Sequence, residues 1–542
     1  MSVVLGVNAV FHDPAAALVV DGRIVAACEE ERISRRKHGK SAVPFSTWEV
    51  PAASMRWCLD HAGLRDTDVD AVAYSYDPSL GGSTSDIVAD GWEGLRTLYV
   101  QRAPHFVKTV LPGLGEDRFH FVPHHLAHAA SAALAGPLED PAVLVLDGRG
   151  ECHSHLAGRS LDGFVETYAA QQLPHSLGLM YEDLTEHLGF HRSSDEYKVM
   201  ALASYAEPEF IEEMRRLVVP TEDGGFHIAP IDWTSFAPKV ARGGELGDDH
   251  AALAASVQQR LEEVVLHLAS WVRDRSGASS IALAGGVALN CVANGRLAAE
   301  GPFDDVWVQP AAGDAGTALG AALHVARRLG DRIEPMGSAA LGRGWSDAEI
   351  EQVLQTAAVP YERPADIAAA AAAVLADGGV IGWFQGRSEY GPRALGHRSL
   401  LASPRDRVML HRLNDVKGRE QFRPVAPIVT LERAADVFDG VVPSPYMLFV
   451  HRVREAWRER IPAVVHVDGT ARVQTVDRRE EPVVASLLDH FERLTGVPVL
   501  VNTSFNTAGR PMVDEPRDAL EVFGASPIDA LALGPFLVPR QR

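Results

Sequence analysis

Residues 3–32, VVLGVNAVFHDPAAALVVDGRIVAACEEER, read as strand, turn, strand, a tight Asp21-Gly22 turn and a third strand, because β-favouring runs alternate with turn residues. A related pattern returns at residues 141–168, PAVLVLDGRGECHSHLAGRSLDGFVETY, with an apolar strand ending in Asp-Gly, a second strand, a glycine-containing turn and a third strand. Helical segments follow each of them, which predicts a duplicated α/β lobe. Between the two, residues 124–136, HHLAHAASAALAG, are rich in helix formers and predict a buried helix. Residues 250–277 carry the apolar spacing of an amphipathic helix. Residues 279–301, SSIALAGGVALNCVANGRLAAEG, and 304–330, DDVWVQPAAGDAGTALGAALHVARRLG, each read strand, glycine-rich turn, helix. Two consecutive βα units belong to a parallel sheet.

From about Asp331 to Gly344 the periodicity lapses into Pro, Gly and Ser, which places a domain boundary there, between residues 1–335 and 345–542. The second part is again α/β. It opens with a helix running to about Ala357, with Ser346 as N-cap and Glu349 three residues on. It includes the strand VIGWFQG (380–386) and ends with the strand PVLVNTSFN (498–506) and a short closing αβ unit.

A chain of 542 residues with 46% hydrophobic content exceeds what one core usually serves. Its 51 basic and 72 acidic residues give a formal charge of −21, which repels a polyphosphate backbone, so nucleic acid is not an expected partner. Cys28, Cys58, Cys152 and Cys291 form no CxxC pair and are expected to be reduced core thiols. There is no basic n-region before His12 and Asp13, and the Ala-rich run after Asp366 is too short to span a bilayer. A cytoplasmic enzyme without a membrane partner is the expectation. Only six of the basic residues are lysines, so Lys37, Lys198 and Lys417, which lie inside motif-like segments, are candidates for a compact ammonium that arginine cannot replace.

His124 and His128 stand four apart on the predicted helix and project from one face. An HxxxH pair is more often structural than metal-binding. Asp147 at the end of the strand 143–147 and Asp314 just before a helix add two carboxylates, giving a mixed N/O set that suits iron(II), manganese(II) or zinc rather than calcium. Gly285 and Gly286, ahead of a helix with Asn290 and Asn294, and the turn Gly313–Gly316 allow backbone amides to approach a nucleotide, although ordinary βα turns look similar. His12 beside Asp13 suits a general base, or a turn histidine capping Asp-Pro. Glu29 to Glu31 followed by Arg32, Arg35, Arg36 and Lys37 reads as a solvated helix face or as a basic wall for a triphosphate. In the second part, Arg387, Arg393, Arg398, Lys417, Arg419 and Arg423 crowd among glycines, prolines and apolar residues. Such cations suit a small phosphate ester, with salt bridges to Glu389, Asp415 and Glu420 as the structural alternative. Arg472 and the run Asn502, Thr503, Ser504 are placed to complete that pocket.

In their order along nearly the whole chain, these segments resemble the NodU/CmcH carbamoyltransferase family. The resemblance rests on FHDPAAALVVDG (11–22), EEERISRRKHG (29–39), HHLAHAASA (124–132), VLDGRGE (145–151), SLGLMYE (176–182), YKVMALA (197–203), LAGGVALNCVANGRL (283–297), GDAGTALGAA (313–322), GRSEYGPRALGHRSLL (386–401), VKGREQFRPVAP (416–427) and NTSFNTAGRPMV (502–513). It implies a TsaD-like first domain of the actin/hexokinase/Hsp70 group and a YrdC-like second domain. The implied reaction converts carbamoyl phosphate to carbamate, joins carbamate to ATP as carbamoyl adenylate, and transfers the carbamoyl group to an acceptor hydroxyl. It implies His124, His128, Asp147 and Asp314 as metal ligands, with iron(II) favoured and magnesium accompanying ATP. His12, with Asp13, falls at the transfer site and Lys37 near the nucleotide phosphates. Gly285, Gly286, Asn290 and Asn294 fall at adenosine, with Gly313 and Gly316 in the second turn. Arg398, Lys417, Arg423, Arg472, Asn502 and Ser504 fall around carbamoyl phosphate. The partners implied are an antibiotic-like small-molecule acceptor, ATP and carbamoyl phosphate, with a homodimer as the assembly considered. Ala206 departs from the pattern, standing where a glycine is common. A threonylcarbamoyl tRNA-modifying enzyme and a non-catalytic ATP-binding regulator are the competing readings.

Overall fold

The alternation of apolar strands and Asp-Gly turns builds the same five-stranded arrangement twice. The computed structural model describes residues 2–81, 94–440 and 443–540. The chain divides into two compact units, residues 1–336 and 337–542. In the first, β1 (Val3–Asn8), β2 (Ala15–Val20), β3 (Arg23–Glu29), β4 (Ala71–Tyr74) and β5 (Phe119–Phe121) form a sheet of order β3-β2-β1-β4-β5. The second sheet contains β6 (Ala142–Leu146), β7 (His153–Leu161) and β8 (Phe164–Gln172). A small hairpin, β9 (Val218–Pro220) with β10 (Phe226–Ile228), stands apart from it, and β11 (Ser280–Ala284) and β12 (Asp305–Val308) complete the order β12-β11-β6-β7-β8. In both sheets the central strand pairs antiparallel with a hairpin on one side and parallel, on the other, with the first of two parallel strands. The hairpins turn on equivalent dipeptides, Asp21-Gly22 (φ 51° and 78°) and Asp162-Gly163 (φ 50° and 76°), the left-handed pair that a two-residue loop requires. The duplicated α/β arrangement read from the sequence is what the structure shows.

Two helices lie close to the sheets' central strands. His124–Ala133 has nine of its ten residues buried, and Ala315–Arg328 is buried along most of its length. They approach at backbone distance: a Cβ on Gly320 would stand 1.8 Å from the carbonyl oxygen of Ala127 and 2.7 Å from the amide of Ser131. Only a residue without a side chain fits there. The long helix Asp248–Ser276 buries one face, as its spacing predicts, and ends on Gly277 in the left-handed conformation.

In the second unit, Ser346 and Glu349 form the predicted capping box ahead of the helix Asp347–Thr356. Its strands are β13 (Val380–Phe384), β14 (Arg398–Ala402), β15 (Ala426–Thr430), a two-stranded ribbon of β16 (Val450–Arg452) and β17 (Thr470–Arg472), β18 (Gln474–Val476), β19 (Val499–Ser504), β20 (Ala530–Leu533) and β21 (Phe536–Pro539). Seven of them form a mixed sheet of order β18-β15-β19-β14-β13-β20-β21 over a single apolar core. The expected closing αβ unit gains one strand, because Gly534 at φ 52° turns β20 back into β21. Among the described residues, no helix is long and apolar enough to cross a membrane, and the four cysteines are free thiols.

Candidate functional site

The helix His124–Ala133 points both of its HxxxH imidazoles toward Asp147, just past the end of β6, and Asp314, just before the helix Ala315–Arg328. All four side chains are buried, and one ligand atom from each lies within 4.8 Å of the others. His124 Nε2 is 3.5 Å from Asp147 Oδ2 and 3.6 Å from Asp314 Oδ1, while His128 Nε2 is 3.8 and 3.7 Å from the same two oxygens. A tetrahedral N/O set with bonds of about 2.1 Å spaces its ligands by about 3.4 Å, close to these separations.

The environment leaves the inward atoms uncommitted. His124 Nδ1 is 3.1 Å from the carbonyl of Ser75, which requires Nδ1 to carry a proton and turns Nε2 inward. His124 Nε2, both ring nitrogens of His128 and Asp314 Oδ2 are buried with no hydrogen-bond partner. Orphaned buried polar atoms are costly unless something compensates them, so this donor set fits a divalent cation. Burial lowers the pKa of His124, but the facing Asp147 and Asp314 outweigh it and hold the imidazole well above its ordinary value. Burial by itself would raise both carboxyls; the imidazoles instead hold them below the ordinary range. Asp147 Oδ1 also accepts the amide of Gly286 at 2.9 Å. Glu151, beyond β6, accepts the amides of His124 and Asp77 through one oxygen, 2.8 Å each, and so caps the ligand helix.

His12 approaches the same carboxylates from the turn after β1, with Nε2 3.8 Å from Asp314 Oδ2 and Nδ1 3.0 Å from Asp13 Oδ2. Burial opposes its protonation, but the charge of Asp314 and the bond to Asp13 raise its pKa to about 10. Phe11 stands edge-on to His124 at 5.1 Å between ring centroids. Lys37 is ion-paired with Glu31 at 2.9 Å, and Lys198 with Asp195 at 3.1 Å. The charged run at 29–37 is not the solvated helix face that was one of the two forms anticipated for it. Its helix is only Glu30–Ser34, and Glu29, Glu31 and Arg32 are buried, with Arg32 Nε 2.8 Å from Glu29. Ala206 takes φ −144° and ψ 163°, an extended backbone that any residue adopts.

The two glycine turns of the second lobe are joined, since the amide of Gly285 donates to the carbonyl of Ala312 at 2.8 Å, and Gly313 and Gly316 follow within that second turn. The side chains of Asn290 and Asn294 serve the fold. Asn290 caps the helix Cys291–Glu300 and bonds Gln258, and Asn294 donates to the carbonyl of Ala288.

In the second unit, register brings the predicted anion-binding residues to one edge of the mixed sheet. β14 begins at Arg398 while Ser399 pairs with Ser504 at the end of β19; β15 begins just after Arg423 with Ala426 opposite Asn502, and Arg472 precedes the parallel β18. Lys417, the last residue of the helix Val408–Lys417, reaches that edge and donates to the carbonyls and side chains of Ser504 and Asn506. Burial, then Arg419 and Arg423 nearby, hold its pKa well below the ordinary lysine value. Arg472 Nε is buried without a hydrogen-bond partner. Arg398 and Asn502 are used differently. The Arg398 guanidinium donates to the carbonyls of Gln385, His397, Arg343 and Gly386 and lies 3.6 Å from the centre of the Phe384 ring, and the Asn502 amide donates to Ala394 and Gln474.

Two descriptions of one family match the chain: "Carbamoyltransferase N-terminus" over residues 3–117 and 111–323, and "Carbamoyltransferase C-terminus" over residues 372–540. The chain belongs to the carbamoyltransferase family. This carbamoyltransferase is 37% identical to the uncharacterized protein sll1178 of Synechocystis, covering 100% of this chain and 97% of that one. It is 38% identical to nodulation protein NolNO of Sinorhizobium fredii, over 98% and 80% of the two chains. It is 30% identical to nodulation protein U of Rhizobium fredii, over 92% and 89%. Solved structures similar to it include Thermococcus kodakarensis HypF (15% identity, 60% and 48% covered, TM-score 0.34), a ROK hexokinase from Thermus thermophilus (14%, 59% and 98%, 0.30) and a variant of Pyrococcus abyssi Sua5 (16%, 31% and 48%, 0.23).

Several residues that organise this carbamoyltransferase's site were not singled out from the sequence. Ser75 contributes a backbone carbonyl and Glu151 acts on backbone amides, and neither use leaves a spacing signal. His38, beside Lys37, carries no spacing signal of its own in the sequence; it meets Asp13 at 2.9 Å and Ser194 at 2.8 Å.

Proposed function

We propose that this carbamoyltransferase is ATP-dependent and works in three balanced steps. At Lys417, Arg423, Arg472 and Ser504, water cleaves carbamoyl phosphate to carbamate and phosphate. Carbamate then attacks ATP, giving carbamoyl adenylate and pyrophosphate. Beside His12, an acceptor hydroxyl attacks the carbamoyl carbon, releasing AMP and leaving an O-carbamate. The observation that carries the reading is the convergence of four buried, partly orphaned ligand atoms within reach of a histidine whose other nitrogen is tied to Asp13.

The chain's own groups have separable tasks. The Asp13 carboxylate accepts His12 Nδ1–H, so that Nε2 takes the hydroxyl proton. The backbone turns at Gly285, Gly286, Gly313 and Gly316 let amides approach the nucleotide closely, where a side chain would intrude. Lys417 supplies a point charge and Arg423 a planar fork for phosphate oxygens. His124, His128, Asp147 and Asp314 would hold the cation, with iron(II) proposed. When bound, it supplies Lewis-acid charge that neutralises phosphate oxygens and offsets the Asp314 charge that otherwise keeps His12 protonated.

The proposed acceptor is a hydroxyl on a small natural product of the polyketide, macrolide or aminoglycoside kind. Lipo-oligosaccharides belong in the test panel as well. Incubation with carbamoyl phosphate, ATP and iron(II) should release pyrophosphate, and mass spectrometry of the panel should show one carbamoyl increment. Pyrophosphate release that requires threonine and bicarbonate instead would overturn the reading in favour of a threonylcarbamoyl enzyme.

A further inference from the structure

The segment KHGK, residues 37–40, packs beside the turn after β1, with His38 and Gly39 against Asp13 and Pro14 of FHDP, residues 11–14. Lys37 holds Glu31, whose carboxylate also accepts the amide of His38 at 2.8 Å. His38 Nδ1 meets Asp13 Oδ1 at 2.9 Å. Gly39 lies so close to Pro14 that a Cβ would come within 2.7 Å of its Cγ. Lys40, buried, donates to the carbonyls of Ala9 at 2.6 Å and Val10 at 3.2 Å. The consequence is a continuous chain of side chains: His12 Nδ1 to Asp13 Oδ2 at 3.0 Å, Asp13 Oδ1 to His38 Nδ1 at 2.9 Å, and His38 Nε2 to Ser194 Oγ at 2.8 Å.

Its polarity is fixed by chemistry. An ionised carboxylate only accepts, so both Nδ1 atoms donate to Asp13; in the neutral form of either ring Nε2 is then the unprotonated nitrogen, the one that faces the Ser194 hydroxyl in His38 and Asp314 in His12. The backbone is held in the left-handed region at three places along this chain, Asp13 (φ 46°), His38 (φ 60°) and Ser193 (φ 58°). This conformation is strained for a residue with a side chain and persists only where surrounding contacts over-determine it.

We propose that His38 is a positioning residue for the transfer step: by occupying the second oxygen of Asp13 it holds that carboxylate on His12, and through Ser194 it couples the base to the 192–195 loop. This rests on the reading of His12 as the base. Ser194 belongs to the segment leading into the helix Glu196–Leu202, so the chain ties the turn after β1 to a distant part of the first unit.

The test uses His38→Gly, which accepts the positive φ but removes the donor, and His38→Asn, which also tolerates the left-handed backbone and presents an amide N–H near the position of Nδ1. In the full-length, metal-free protein labelled with ring-15N histidine, the His12 signals, assigned by their loss in His12→Ala, should shift in His38→Gly and return toward wild type in His38→Asn. With ATP, carbamoyl phosphate and iron(II), and water as the acceptor, AMP release should fall about tenfold in His38→Gly, recover to within about threefold in His38→Asn, and fall in Ser194→Ala. Pyrophosphate formation should stay within about twofold in all three variants. Unmoved His12 signals in His38→Gly, or an Asn variant no better than Gly, overturn the assignment. If the wild type forms no pyrophosphate, or His12→Ala releases AMP at the wild-type rate, the reading of His12 as base has failed instead, and the spectra alone decide the role of His38.

Discussion

His128 differs from His124 in one respect that matters. The outer nitrogen of His124 is held by the Ser75 carbonyl, while neither nitrogen of His128 has a hydrogen-bond partner. Its ring faces the carboxylates of Asp147 and Asp314 at 3.8 and 3.7 Å without a hydrogen bond to either. His128→Ala is therefore expected to lower bound iron well below one equivalent by elemental analysis and to abolish AMP release, with the fold retained; unchanged metal content would sink the ligand assignment. Lys417 gives a prediction with a definite sign. Its pKa is depressed by burial and by Arg419 and Arg423, so the folded protein binds fewer protons there than the unfolded chain. Folding stability from this group consequently rises with pH between the depressed value and the ordinary lysine value. An added anion works the other way, restoring the ammonium, so phosphate binding takes up protons and should weaken as pH rises, by up to about tenfold per unit. Calorimetric titration of phosphate in buffers of different ionisation enthalpy measures that proton uptake, and Lys417→Met should remove it. These residues were legible in the sequence because a spacing of four on a helix and a lone lysine among arginines are local signals. Ser75 and Glu151 were not, because they act on or through the backbone from segments separated from His124 by 49 and 27 positions.

The position of Asp314 opposite the two imidazoles is a property of helices. It precedes the helix Ala315–Arg328, which approaches His124–Ala133 at the distance Gly320 permits. Any Cβ at Gly320 meets backbone atoms of Ala127 and Ser131, which cannot swing aside as a long side chain can. Gly320→Ala should destabilise the protein by about 3 kcal/mol or more in urea unfolding, and should lower metal affinity as well, because the helices must part. A variant that keeps full metal content would show that the loop at Gly313–Asp314 adapts independently. Glu151 acts at the other end of the ligand helix. Glu151→Ala removes the acceptor from the amides of His124 and Asp77 and should cost about 1–2 kcal/mol, with metal affinity reduced and Glu151→Gln intermediate in both. The strand pattern, the Asp-Gly hairpins and the Ser346 capping box could be read in advance since each depends on neighbours within a few residues. The mixed sheet of the second unit could not be read to its register, because which strand lies beside β14 depends on pairing across about a hundred residues. That pairing is what brings Ser504 to the edge where Lys417 and Arg423 lie.

At the scale of the chain, a net charge of −21 should repel the carbamoyl phosphate and ATP proposed as substrates, so binding of either would have to come from local fields. The cations at the sheet edge of residues 337–542, and a metal ion held by the His/Asp cluster of residues 1–336, would supply such fields, and the two sets of residues lie in separate compact units. If each unit has the task proposed for it, ligands should leave separate footprints in hydrogen exchange. Inorganic phosphate should slow exchange around residues 417–426 and 499–506, where backbone groups hold Lys417 and Ser504, and leave residues 124–147 and 280–316 unchanged. Iron(II) or zinc should do the reverse, protecting the amides of the His124 helix and the Gly285 turn, whose neighbour Gly286 already bonds Asp147. Lys417→Met should erase the first footprint and leave the second, and His128→Ala the converse, since the two side chains belong to different compact units. Phosphate protection centred on the Gly285 and Gly313 turns instead would move carbamoyl phosphate recognition into the first unit, and the division of tasks between the units would then have to be redrawn.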